Sequence, residues 1–162
     1  MADRARPTEI FREDHRHLTW ALSRLMERVE ASSLGEMDEG AIQEGTGFLA
    51  HRLIPQLEWE AEVLMPRASA VLERNGPAVP MPPDGGLDAL GLARELAAGL
   101  EDRALLAGQA ERERLRMLAA ELEAAAGEHF RRVDSCLDEM DQLAERKDLE
   151  DLIFAAKQAQ IH

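Results

Sequence analysis

Between residues 11 and 29 the side chains Phe11, His15, Leu18, Leu22, Leu25 and Val29 recur in steps of four, three, four, three and four. Steps averaging about 3.5 residues keep one helix face turned toward neighbouring helices. The rhythm returns twice more. Leu49, Leu53, Gln56, Glu60 and Val63 carry it through a second segment. Leu115, Leu118, Leu122, Ala125, His129, Val133, Cys136, Met140 and Leu143 carry it through a later one. Long segments with this period predict an all-α chain of packed helices. Composition agrees, since aromatic residues make up 4% and glycine only 11 of 162 positions, while 45% hydrophobic residues suffice for a core.

The interruptions of that pattern carry the chemistry. His15, Glu60 and His129 occupy positions that the rhythm reserves for apolar side chains, with Gln56 one turn before Glu60. A buried carboxylate without a partner costs several kcal/mol or takes up a proton. Glu60 therefore needs a partner, and two inward histidines stand ready. Facing helices of bundles commonly build metal sites from inward side chains. Two imidazoles and one carboxylate suit iron, zinc or manganese. A His-x-x-x-Glu step would place two ligands one turn apart on one face. Gln56-x-x-x-Glu60 and His129-x-x-x-Val133 each supply half of such a step.

Punctuation divides the chain into five helices. Pro7 suits a first helical position, and residues 8–31 follow without a breaker. A second helix is predicted from about Asp38, a candidate N-cap, to Asn75 and Gly76. Pro55 within it should kink the helix or free a carbonyl beside Gln56. The proline-rich stretch 75–86 reads as a link within one domain. Helices over about 87–107, 109–144 and 147–159 complete a single domain spanning 1–162, with its core at about 8–145.

Several function classes are disfavoured. A formal charge of −13 opposes binding to nucleic acid or to an anionic membrane surface. A single cysteine, Cys136, allows no internal disulfide. The opening MADRARPTEIFRED lacks the apolar stretch of a signal peptide, and no uncharged run is long enough to span a bilayer, so a cytoplasmic location is expected. Phosphate-binding loops, nucleophile elbows and Cys-x-x-Cys pairs are missing, so the sequence gives no ground for reading an enzyme.

The segments FREDHRHL, FLAHRLIPQLEWEAEVLMP and GEHFRRVD, with GLARELAAGL in support, resemble the hemerythrin-like, or HHE cation-binding, family. The resemblance spans about residues 8–145. It implies a four-helix up-down bundle, here with a short additional C-terminal helix, and an iron site. Asp14-His15 matches the family's first ligand, and Glu62-Val63-Leu64-Met65-Pro66 matches the ending that sets the register of the second helix. That register puts the family's glutamate at Glu60 and its histidine at Gln56. His129-Phe130 matches the last motif, with Val133 where a glutamate belongs, and Leu96 stands in place of the third helix's histidine. Leucine and valine coordinate nothing and a carboxamide is a weak ligand. The resemblance thus implies a reduced, mononuclear site at His15, Glu60 and His129, with Gln56 as a weak or outer ligand. A complete di-iron oxygen carrier is not expected.

A second reading leaves the metal out. Glu60, Gln56 and the histidines then form a closed polar network, and the chain acts as an acidic helical interaction protein, a homo-oligomer or the companion of a basic protein. Its last helix carries an apolar stripe of Leu149, Leu152, Ile153 and Ala156 that its own helices or another subunit must cover. A third has the polar remnants line an apolar pocket for a small organic ligand. Among the remaining residues, His17 and His51 read as solvated, Cys136 as buried, and Trp20 and Trp59 as packing residues. Asp134 points roughly 100° away from Val133 on a regular helix, so it is not expected at the centre without distortion.

Overall fold

The computed structural model describes residues 8–31, 39–75, 87–102, 108–143 and 146–161, and among them every regular element is helical. The first helix, α1, spans Glu9–Ala31. Residues 39–75 form one uninterrupted helical rod, built from α2 (Glu39–Phe48), a π-turn (Leu49–Leu53), α3 (Ile54–Trp59), a second π-turn (Glu60–Leu64) and α4 (Met65–Asn75). Helices α5 (Leu87–Glu101), α6 (Gln109–Leu143) and α7 (Arg146–Ile161) follow. Pro7, Asp38 and the 75–86 link fall outside the described residues, apart from Asn75 at the end of α4. No helix among the described residues is long and apolar enough to cross a membrane.

All six seam positions of α1 are buried, as their spacing predicts. Helix α6 packs against α1, α4 and α5, and α5 also lies against the rod. The approach of α5 to α6 is close at Gly99, where an added Cβ would stand 2.4 Å from Leu115 Cδ2.

The rod departs from the expected register. Between residues 49 and 64 its buried positions are Leu49, Leu53, Leu57, Glu60 and Leu64, so Leu57 displaces Gln56 and Leu64 displaces Val63. The two π-turns are the reason, since each turn holds more residues than an α-turn and lengthens the inward step toward four. Pro55 sits immediately after the first π-turn, at the start of α3. The irregularity expected at this proline is thus a widened turn, in which Ile54 N–H donates to the Leu49 carbonyl.

Two apolar clusters make up the core. One gathers Leu18, Leu22, Leu57, Leu96, Ala126 and Phe130 among others, and the second gathers Phe11, Leu64, Val133, Leu137 and Met140. Leu149, Leu152 and Ala156 of α7 belong to the second cluster, so the chain's own helices cover that stripe. Cys136 is buried, as predicted, and burial pushes its thiol above the usual range. Trp20 does not pack as expected, because it is 64% exposed. Trp59 does pack, stacking on Phe11 with ring centroids 5.8 Å apart.

Candidate functional site

Each of three elements changes cluster at one polar residue. Along α1, His15 lies between Phe11 of one cluster and Leu18 of the other. Along the rod, Glu60 lies between Leu57 and Leu64, and along α6 His129 lies between Ala126 and Val133. A polar layer therefore crosses the core where the two apolar clusters meet. Glu60 has no exposed surface, and His15 and His129 are 2% and 4% exposed.

All four residues singled out from the sequence come together in that layer. Glu60 Oε1 stands 3.1 Å from His15 Nε2 and 3.3 Å from His129 Nε2. Gln56 Nε2 donates to the other oxygen, Glu60 Oε2, at 3.1 Å. Although Gln56 is only half-buried, its amide reaches inward and fixes the rotation of the carboxylate. Glu60 also opens the second π-turn, a backbone irregularity that tends to accompany functional positions.

Asp134 does not take the place of a carboxylate at Val133, but it adds a contact that the sequence reading did not foresee. It lies on an unbroken α6 and still reaches His15, with Oδ1 2.6 Å from Nδ1. No distortion is needed because α1 packs against α6 and holds the His15 ring between Glu60 on one side and Asp134 on the other. The Phe130 ring stacks on His15 with centroids 4.3 Å apart and an interplanar angle of 19°, which fixes the imidazole plane. Leu96 and Val133 are buried in the apolar clusters, as their side chains require.

The electrostatics follow from this arrangement. Burial by itself disfavours an imidazolium at His15, but the Glu60 charge and the hydrogen bonds of Asp134 and Glu60 outweigh it and raise the pKa to about 9. Burial likewise disfavours a carboxylate at Glu60, and His15 and His129 reverse the sign and lower it to about 2. The two shifts describe one interaction, a proton held between His15 and Glu60. His129 is less well served. Its Nδ1 is buried without a hydrogen bond, and its Nε2 has only the longer, 3.3 Å approach to Glu60.

Among the described residues, no group of three His, Cys, Asp or Glu side chains is already spread to hold a metal ion. The geometry accounts for this, because Glu60 Oε1 is in direct contact with His15 Nε2. The donor types nonetheless suit a transition metal, and His15 has the outer carboxylate on Nδ1 that metal-binding histidines usually have.

Two shallow grooves approach the layer. One, of about 430 Å³, runs past Trp20, Gly127, Phe130 and Arg131 to His15 and Asp134. A smaller one, of about 130 Å³, is lined by Asp14, His17, Arg52 and Gln56. His17 and His51 are exposed, in line with the sequence reading.

A second polar network escaped the sequence reading. Arg12 is buried, with Nη2 2.6 Å from Asp138 and 3.1 Å from Asp141, and it donates from Nη1 to Thr8 Oγ1 at 2.8 Å. Thr8 in turn donates to Asp141 at 2.6 Å, which ties the start of α1 to the end of α6. The signal was the position of Arg12 next to the seam residue Phe11, yet arginine ordinarily reads as a surface residue. No protein-family model, no curated protein and no solved structure matches this chain.

Proposed function

We propose that this chain is a hemerythrin-like four-helix up-down bundle with an added C-terminal helix, binding a single transition-metal cation, iron first, at His15, Glu60 and His129. Gln56 orients Glu60 from outside, and Asp134 orients His15. The observation that carries the reading is the convergence of two imidazole Nε2 atoms on one carboxylate oxygen at 3.1 and 3.3 Å. Burial of both His129 ring nitrogens, with Nε2 directed at Glu60 and Nδ1 without a hydrogen bond, is consistent with it. Binding there requires His15 to give up the proton it shares with Glu60, so uptake releases acid. A reduced site of this kind suits sensing or iron handling better than reversible oxygen carriage.

The test is anaerobic titration of chelator-treated protein with Fe(II), and separately with Zn(II), followed by calorimetry and elemental analysis. One ion per chain is expected, with proton release, and His129→Ala should lose it while His17→Ala keeps it. A second reading, a metal-free acidic interaction protein, is favoured by the direct His15–Glu60 hydrogen bond at 3.1 Å. Absence of uptake by wild-type protein would select that reading.

A further inference from the structure

A groove between α1 and α2 shares Trp20 and Arg52 with the two grooves that approach the polar layer, contains none of the layer's own residues, and carries the opposite charge from the chain as a whole. Its volume is about 310 Å³, within the range of small-molecule sites. Arg24, Arg28 and Arg52 line it against a single carboxylate, Glu44, in a chain of net charge −13. Arg28 is paired with Glu44. Arg24 and Arg52 make no ion pair with a carboxylate among the described residues. Each instead lies over an aromatic ring, Arg24 at 5.0 Å from the Trp20 centroid and Arg52 at 5.9 Å from that of Phe48.

Each guanidinium is thus held by cation–π attraction to a ring while its N–H donors have no carboxylate among the described residues. That attraction also holds a long side chain in place, which lowers the entropic cost of using those donors. Trp20 meanwhile exposes 64% of its surface on a helix whose seam residues are all buried. Two arginines beside aromatic rings, in a groove also lined by Leu25 and Ala41, complement a flat apolar body that ends in a carboxylate. We propose that this groove binds a small aromatic carboxylate, its ring against Trp20 and Phe48 and its charge on Arg24 and Arg52. The proposal is independent of any metal at Glu60.

The probes are 1-naphthoate and its neutral counterpart 1-naphthalenemethanol, added to full-length protein at low salt. The readout is the pair of tryptophan indole N–H signals in a nitrogen–proton correlation spectrum, assigned with Trp20→Phe. Naphthoate should shift the Trp20 signal saturably and leave Trp59 in place, and the alcohol should bind at least about tenfold more weakly. Arg24→Gln and Arg52→Gln should each weaken naphthoate about tenfold, whereas Arg94→Gln, an exposed arginine elsewhere, should change it little. These arginines are exposed, so folding is preserved, and circular dichroism checks it. No saturable shift up to about 1 mM naphthoate overturns the proposal, as does equal binding of acid and alcohol. An equal loss in Arg94→Gln would mean diffuse attraction and no site. Saturation by polyglutamate but not by naphthoate would reassign the groove to an acidic protein partner.

Discussion

Replacing Glu60 by glutamine keeps the volume of the side chain and removes the charge that the polar layer is built around. In chelator-treated protein the cost can be worked from His15. Its pKa is 6.5 in an ordinary setting and about 9 in the fold. At about 1.36 kcal/mol per unit, that difference represents about 3 kcal/mol of stability. Asp134 keeps its 2.6 Å contact in the variant and retains part of this, so the expected loss is about 2 kcal/mol. For a chain of this size that corresponds to roughly 4–8 °C in Tm.

The pH dependence identifies the cause. His15 is raised, so its contribution is fully present below 6.5 and is lost as pH climbs through about 9. Glu60 is depressed, so its contribution is present above 4.5 and is lost as pH falls through about 2. These are two views of one pair and are not summed. The gap between wild type and Glu60→Gln should therefore be widest between pH 4.5 and 6.5 and close on both sides. Urea unfolding followed by circular dichroism at a series of pH values measures it. A gap below about 0.5 kcal/mol near the middle of that window, or one that stays constant into the alkaline range, would refute the shared proton.

Other substitutions separate the remaining claims. Asp134→Asn should leave helix content unchanged and weaken Zn(II) binding about 10–100-fold, as removal of an outer carboxylate from a ligating histidine does; calorimetry measures it. Gly127 sits inside α6, where an added Cβ meets nothing within 4 Å, so Gly127→Ala should stabilise the chain by about 0.5–1 kcal/mol in the same urea assay. Leu57 is fully buried, and Leu57→Ala should cost about 2–5 kcal/mol. Gln56→Ala should cost far less, which checks in solution that Leu57 and not Gln56 holds the buried register of the rod.

The buried seam of α1 was legible, because steps of four and three over a regular helix convert directly into one buried face, although Arg12 and Trp20 beside that seam were not. The same rule picked out His15, Glu60 and His129, since a polar residue at a seam position is conspicuous in any helical reading. Gln56 was found by its one-turn spacing from Glu60, although the fold holds it at the edge of the core.

What stayed out of reach were effects that no single helix contains. The exchange of Gln56 for Leu57 and of Val63 for Leu64 depends on two π-turns, and a period read at a fixed 3.6 residues per turn has no means of registering a widened one. Asp134 looked misplaced by its own helix angle, yet the packing of α1 beside α6 brings it to His15. Arg12 likewise acquires its burial from Asp138 and Asp141, 126 and 129 positions away. The sequence by itself determined which helices form and which polar groups stand on their seams, because periodicity is local. Only the tertiary structure decided the partners of those groups, and with them the charge each one carries, because a buried charge is set by what the neighbouring helices bring within about 3–4 Å.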